Sequence, residues 1–205
     1  MPPLSPAVQF WNLSTDLGVF ATMAALLASL KVRLALESER ALTDPLTGLK
    51  NRRAFQEAAG AEIERARRHG RPLTVALLDL DGLKQVNDTL GHEAGDKALV
   101  GVGDVLRRRL RVVDVVARLG GDEFALLLPE TAASEADTIF CDLLRQVASR
   151  MQERGLPVGL SLGAVTFTSV PRSLDDALGE ADALLYEAKR AGKGRVRHEI
   201  WPRSS

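Results

Sequence analysis

Apolar residues recur along most of the chain at spacings typical of helices and strands. Steps of three and four predict helices that begin at Asn51, include Ala98 to Leu106, open at Ser134 and start at Ser173. Mostly continuous apolar runs bounded by turn residues predict strands between these helices. The predicted strands are residues 73–81, 115–119, 123–129 and 156–167. Helices and strands therefore alternate after about residue 50.

Two of the predicted strands flank the short segment Gly120–Asp122, which has the composition of a hairpin turn. Because a hairpin makes neighbouring strands antiparallel, an all-parallel sheet is excluded. The pattern predicts an α+β fold of ferredoxin-like or polymerase-palm type. Its central sheet is mostly antiparallel and flanked by helices, and a further helix lies at the N-terminus.

The expected division of the chain is an N-terminal helix (1–40), a main domain (41–198) and a tail (199–205). Residues 17–30 are apolar nearly all round, but a membrane span needs about 20 such residues. An alternation of three- and four-residue steps favours a helix that pairs with a second copy of itself, with membrane attachment and a plain packed helix as alternatives. These positions are Leu13, Leu17, Phe20, Ala24, Leu27, Lys31 and Leu34.

The charge balance narrows the functional classes. Twenty-seven basic residues match 27 acidic ones, so the formal net charge is zero. This excludes the broad positive surface of a protein that coats nucleic acid. The single cysteine, Cys141, excludes an intrachain disulfide, and we expect its thiol to be buried and inert. The cysteine content fits a cytoplasmic protein, with the inner face of the membrane as an alternative location.

Acidic residues interrupt the apolar pattern at two places. Asp79 and Asp81 end the first strand, and Asp122 and Glu123 occupy the hairpin turn. If these strands are neighbours, Asp79 and Asp122 converge at one edge and could bind a hard divalent cation such as Mg²⁺, with Mn²⁺ as an alternative. By residue type alone a purely structural turn is the favoured interpretation, because turns favour glycine and aspartate, and the acids at the end of a separate strand weaken it.

Several motifs together resemble those of the GGDEF family, the diguanylate cyclases that join two GTP molecules into cyclic di-GMP. The name-giving motif is Gly120–Phe124, and four further segments stand in the family's order. They are "DPLTGLKNRRAF" (44–55), "DLDGLKQVND" (79–88), "GHEAGD" (91–96) and "ADALLYEAKRAGKG" (181–194). The resemblance covers about three quarters of the chain and implies the nucleotide cyclase form of the predicted fold.

The resemblance implies specific roles at the acidic turn. Asp79, Asp122 and the backbone carbonyl of Leu80 would bind the metal ion. Asp122 would also help to deprotonate the attacking hydroxyl, Glu123 would be the second acid, and Lys84 would be the cation near the transferring phosphate.

The resemblance also implies a substrate site. Asn87 and Asp96 would bind guanine, Gly120 and Gly121 would leave room for phosphate, and Lys189 and Lys193 would bind the triphosphate. Lys193 stands where the family more often has arginine, which keeps the charge but loses the bidentate fork. Considered without the family, Asn87 and Asp96 are more typical of helix caps, and the lysines of solvated helix faces.

Arg111 and Asp114 match the position of the family's inhibitory RxxD site, where cyclic di-GMP binds. The implied function is a Mg²⁺-dependent diguanylate cyclase that is active as a homodimer and inhibited by its product. The implied partners are GTP, cyclic di-GMP and a second copy of the chain, with no nucleic acid. The alternative is a non-catalytic cyclic di-GMP receptor with the same fold.

Overall fold

The computed structural model describes residues 19–31 and 42–202, which fall in two compact units, 1–41 and 42–205. The described part of the first unit is helix α1, residues 19–31. Its large apolar side chains are exposed, and within the described residues no helix is long and apolar enough to cross a membrane. The predicted pairing positions Leu13, Leu17 and Leu34 lie outside the described residues.

The second unit contains five strands and five further helices. In chain order they are α2 (Arg52–His69), β1 (Leu73–Asp81), α3 (Leu83–Leu90), α4 (His92–Arg109), β2 (Val115–Gly120), β3 (Glu123–Pro129), α5 (Ala133–Glu153), β4 (Gly159–Phe167), α6 (Leu174–Arg190) and β5 (Val196–Trp201).

The strands form one sheet in the order β2-β3-β1-β4-β5. The pairs β2–β3, β3–β1 and β1–β4 are antiparallel, and β4–β5 is parallel. This confirms the predicted mostly antiparallel sheet and its hairpin, which is formed by β2 and β3. Strand β1 lies in the middle, where it pairs with a strand on each side.

Helices cover both faces of the sheet, so β1 is buried on both sides. Ala76 and Leu78 face the core formed with α3, α4 and α5, whereas Leu73 and Val75 face the core formed with α2 and α6. This explains why β1 has a continuous apolar run instead of an alternating one. Its two acidic residues, Asp79 and Asp81, are confined to the C-terminal end of the strand, where both are still buried.

Local signals set several helix boundaries as predicted. The side chain of Asn51 accepts a hydrogen bond from the backbone N–H of Ala54 and caps α2, which ends at Gly70. Ser173 caps α6 in the same way, through the N–H of Asp176. Such caps satisfy backbone donors that have no partner inside the helix.

Three features differ from expectation. The pattern does not predict α3 or β5, and β5 runs to Trp201, past the expected domain end at 198. The expected burial of Cys141 is wrong, because this residue is exposed. Helix α5 buries the face of Ala136, Phe140 and Leu143, and position 141 lies off that face.

Candidate functional site

The register of β1 and β3 brings the two acidic segments together. Asp79 lies opposite Glu123 in the antiparallel pair, and the backbone N–H of Leu80 donates to the carbonyl of Asp122 at 3.2 Å. The turn that follows β2 therefore ends beside the last residues of β1. Asp79 and Asp122 meet at one sheet edge, as the sequence predicts.

The turn between β2 and β3 depends on its two glycines. Gly120 and Gly121 have φ values of 142° and 56°, which favour glycine over residues with a side chain. A Cβ atom at either position would have no neighbour within 4 Å, so the space above the turn is open. The backbone there is accessible to a bound group.

Arg118 fixes the same turn from β2. Its Nε and Nη2 atoms donate to the carbonyl oxygen of Gly121 at 3.0 and 2.7 Å. Its Nη1 atom lies 3.3 Å from Asp44, whose carboxylate also accepts hydrogen bonds from the N–H and hydroxyl of Thr47. These contacts connect the segment before α2 to the acidic turn.

A cavity of about 510 Å³ opens beside the two acids. It brings together six of the predicted site residues and adds Asp81 and Asp88 to them. The six are Asp79, Leu80, Lys84, Asp122, Lys189 and Lys193. A larger open cavity, lined by Arg109, Cys141 and Arg145 between α4 and α5, contains none of the predicted residues. Of these two cavities, the predicted metal-binding and phosphate-binding residues line the one of about 510 Å³.

The pKa of Asp79 depends on the other charged groups that line this cavity. Burial raises the pKa of Asp79, and the nearby carboxylates of Asp122 and Asp81 raise it further. The ammonium group of Lys189 opposes this effect, because it lies 2.7 Å from Asp79 Oδ2. The net effect is a raised pKa, so the carboxylate of Asp79 is harder to ionise here than in water even though Lys189 contacts it.

The donor set at this edge fits a magnesium or manganese ion. Asp79 and Asp122 offer carboxylate oxygens and Leu80 a carbonyl oxygen, all hard ligands. Within the described residues no group of three or more His, Cys, Asp or Glu side chains is arranged for a metal. A site here would therefore combine two carboxylates with backbone and substrate oxygens, as magnesium sites commonly do.

The predicted guanine-binding residues lie on α3 and α4, outside the lining of the 510 Å³ cavity. Asn87 packs so closely against Gly95 that a Cβ atom there would lie 1.9 Å from Asn87 Oδ1. That amide oxygen is buried without a hydrogen-bond partner in the described structure, and Asp96, next to Gly95, is exposed.

Glu123 is also exposed and points toward Arg52, with 3.8 Å between Oε2 and Nη2. It is not among the residues that line the cavity. The structure thus separates Glu123 from Asp79 and Asp122, although the three are adjacent in register.

Arg111 and Asp114 form a pair at the opposite end of β2. The side chain of Asp114 is 1% exposed, and Arg111 donates to its Oδ1 at 3.2 Å from Nε and 2.9 Å from Nη2. Arg111 also contacts Thr131 Oγ1 at 2.6 Å and Glu135 at 3.4 Å. The Asp114 hydrogen bond raises the pKa of Arg111. Six strand residues, about 20 Å, separate this pair from the acidic turn.

The family described as "Diguanylate cyclase, GGDEF domain" matches residues 41–195. The chain belongs to the GGDEF domain family. It is 42% identical over 163 residues to diguanylate cyclase DgcP of Pseudomonas aeruginosa, covering 78% of this chain and 24% of that protein. It is 35% identical over 179 residues to the probable diguanylate cyclase DgcC of Escherichia coli K12, covering 84% and 46%.

A solved structure supports the same relationship. The coiled coil and GGDEF domain of DgcB from Caulobacter crescentus, in complex with c-di-GMP, superposes with a TM-score of 0.73 at 32% identity. The match covers 88% of this chain and 97% of that one. The chain spans less than half the length of the two curated relatives named above.

Four charged residues of this GGDEF domain were not predicted as part of the site. Arg118 and Asp44 fix the turn, and Asp81 and Asp88 line the cavity. The signal for Asp44 was its place in the segment "DPLTGLKN", which reads as a turn. Arg118 gives no signal of its own, because an arginine in a half-buried strand is recognisable only once its partners are known.

Proposed function

We propose that this GGDEF domain is a diguanylate cyclase that condenses two GTP molecules into cyclic di-GMP and releases pyrophosphate. The observation that carries this proposal is the meeting of Asp79 and Asp122 at one cavity that also contains Lys84, Lys189 and Lys193. Carboxylates beside several lysines match the needs of a nucleoside triphosphate with a divalent cation.

Asp79, Asp122 and the carbonyl of Leu80 would hold the metal ion. Family members are generally metal-dependent, and the oxygen donors here favour Mg²⁺, with Mn²⁺ as an alternative. When bound, the ion supplies charge to offset the α-phosphate and lowers the pKa of a coordinated hydroxyl. Lys189 contacts Asp79 directly and would shift toward the phosphates once another cation balances that carboxylate.

Side chains of this domain would accept the proton that the reaction releases and stabilise the negative charge on the phosphates. The 3′-oxygen of one GTP forms a bond to the α-phosphorus of the other, and the bond to pyrophosphate breaks. Asp122 accepts the proton from the 3′-hydroxyl, and Glu123, as the second acid, would assist metal binding. Lys84 stabilises the charge on the transferring phosphate, and Lys189 and Lys193 bind the triphosphate.

Guanine recognition would fall to Asn87 and Asp96. A carboxylate accepts from the N1 and N2 hydrogens of guanine, and an amide can both donate and accept. The unpaired buried oxygen of Asn87 supports this role, because a buried polar atom is seldom left without a partner unless a ligand supplies one. Gly120 and Gly121 leave the phosphate side open.

The reaction requires two domains. Each domain binds one GTP, so a complete product needs a second copy whose 3′-hydroxyl faces the first α-phosphate. The exposed apolar side chains of α1 support pairing of two chains, which would raise the effective concentration of the two halves.

Arg111 and Asp114 would bind the product at the opposite end of β2 and inhibit the enzyme.

The direct test is incubation of the protein with GTP and Mg²⁺, followed by chromatography for cyclic di-GMP and an assay for pyrophosphate. We expect both products from the native protein and neither from Asp122→Asn. Asp175→Asn, an exposed acid at the start of α6, serves as the matched control with native activity. Binding of cyclic di-GMP without turnover of GTP would replace this proposal with the receptor alternative.

A further inference from the structure

The loop that joins α6 to β5 has an unusual backbone. Gly192, Lys193 and Gly194 have φ values of 120°, 59° and 60°. Lys193 is thus a residue with a side chain in the left-handed region, which such residues rarely adopt unless neighbouring contacts impose it. Lys193 also lines the 510 Å³ cavity. Contacts with other parts of the fold must therefore hold this loop in its conformation and keep Lys193 at the cavity.

The fixing contacts come from the ends of two central strands. The N–H of Gly194 donates to Asp81 Oδ2 at 3.0 Å and approaches Ser161 Oγ at 3.1 Å. The hydroxyl of Ser161 in turn donates to the same Asp81 oxygen at 2.6 Å. Both side chains are buried, so these charge-assisted bonds are shielded from water. We call the two side chains and this N–H the Gly194 anchor.

The anchor also explains why β1 ends with two acids. Asp79 and Asp81 are two residues apart on a strand and therefore share a face, the face covered by α6. Asp79 contacts Lys189 near the end of α6, and Asp81 contacts Gly194 four residues after it ends. The two acids thus meet the same part of the chain but bind different groups, a side-chain cation and a backbone amide.

From these contacts we infer that Asp81 is a positioning residue, which acts through the Gly194 anchor to place Lys193 for the triphosphate. It is not a third metal ligand. This inference rests on the proposed GTP site. Oδ2 of Asp81 already accepts both hydrogen bonds of the anchor. Its Oδ1 is buried without a hydrogen-bond partner among the described residues, and a Mg²⁺ titration tests whether that oxygen contacts the metal ion.

The N–H of Lys193 donates to the carbonyl of Ala188 at 3.2 Å, and the N–H of Leu162 donates to the carbonyl of Arg195 at 2.9 Å. Gly194 lies between these two backbone hydrogen bonds in the sequence. Loss of the Gly194 anchor would leave both of them in place but remove the contact next to Lys193. Removal of Asp81 should therefore shift Lys193 while α6 and β5 stay in place.

The experiment compares equilibrium binding of GTP and GMP, with Mg²⁺ present, to the native protein, Asp81→Ala, Asp81→Asn and Lys193→Ala. GMP has the same guanine but lacks the phosphates that Lys193 would bind. We expect Asp81→Ala to lose affinity for GTP by roughly tenfold, the effect of one charge-assisted hydrogen bond, with GMP affinity unchanged. Asp81→Asn keeps an oxygen acceptor and should retain most of the GTP affinity.

Two further measurements separate positioning from other roles. The double variant Asp81→Ala, Lys193→Ala should bind GTP no more weakly than Lys193→Ala alone, because both changes remove the same interaction. The Mg²⁺ concentration for half-maximal activity should stay native in Asp81→Asn and rise in Asp79→Asn.

The inference is overturned by equal losses for GTP and GMP, by additive losses in the double variant, or by a raised Mg²⁺ requirement in Asp81→Asn. If Asp81→Ala does not fold, Asp81→Asn and the Mg²⁺ titration decide the question. Native protein that binds no GTP would instead overturn the proposed function itself, so the two failures are distinguishable.

Discussion

The guanidinium of Arg118 donates two hydrogen bonds to the carbonyl oxygen of Gly121, at 3.0 and 2.7 Å. It thereby fixes the residue directly before Asp122. The same guanidinium pairs with Asp44, so that the turn is connected to the segment that precedes α2.

Replacement of Arg118 should therefore impair catalysis from outside the cavity. Arg118→Ala frees the carbonyl of Gly121, and we expect cyclic di-GMP formation to fall roughly 10- to 100-fold, the range for a small displacement of a reacting group. The rate of Arg118→Lys should lie between those of the native protein and Arg118→Ala, because an ammonium group cannot make the bidentate hydrogen bond of the guanidinium. Arg65→Ala, an exposed arginine on α2, is the matched control. Native rates in Arg118→Ala would show that the turn keeps its geometry unaided.

The Asp44 carboxylate should make stability depend on pH. Burial would raise its pKa, but the hydrogen bonds of Thr47 and the charge of Arg118 outweigh burial and lower the pKa below 3.8. A lowered folded-state pKa means that this stabilisation is complete above the unfolded pKa of about 3.8 and is lost as the pH falls through the folded value.

Urea unfolding of the native protein and Asp44→Asn checks this expectation. The native protein should have the higher midpoint at neutral pH, with an unchanged gap down to about pH 5. Below pH 3.8 the gap should narrow. A gap that is constant over the whole range would mean that the Asp44 charge does not contribute to stability.

Gly95 should control the orientation of Asn87. In Gly95→Ala the new Cβ atom would lie 1.9 Å from Asn87 Oδ1, so the amide must move. We expect GTP affinity to fall roughly tenfold, as for the loss of one or two hydrogen bonds to guanine, and the preference for GTP over ATP to shrink.

Gly60→Ala is a matched control for that variant. Gly60 is also a helical glycine, but a Cβ there has no neighbour within 4 Å. This substitution should leave nucleotide binding native and stabilise α2 by about 0.5–1 kcal/mol. Unchanged selectivity between GTP and ATP in Gly95→Ala would remove Asn87 from the guanine site.

Arg111→Lys should relieve product inhibition. Lysine keeps a positive charge near the buried Asp114 but cannot make a bidentate contact with guanine. We expect the inhibition constant for cyclic di-GMP to rise about tenfold or more, with a native initial rate. Arg111→Ala is the poorer choice, since it removes the guanidinium from a carboxylate that is 1% exposed and leaves it the backbone N–H of residue 111 as a donor. Inhibition as strong as in the native protein would exclude this site.

The sequence predicts those features that depend on local chemistry or on short-range pairing. Asn51 and Ser173 cap their helices because the capping bond spans three residues. The meeting of Asp79 and Asp122 is predictable because a hairpin fixes β2 beside β3, and one further pairing, of β3 with β1, then fixes the acids.

Features that depend on distant partners are not predictable in this way. Helix α3 has only eight residues between Gly82 and Gly91, too few for a clear period. Strand β5 is half-buried at the sheet edge, and its strand character comes from parallel pairing with β4. The contact of Asp81 with Gly194 joins residues 113 apart in the chain. No local pattern distinguishes Asp81 from Asp79, which lies on the same face.

The position of Arg111 and the acidic turn at opposite ends of β2 has a practical consequence. Changes to the loop that precedes the strand need not alter the turn that follows it. Under the proposed function, feedback by the product and the rate of its formation would then be separable by mutation. A variant that lacks the first but keeps the second would form cyclic di-GMP at a constant rate.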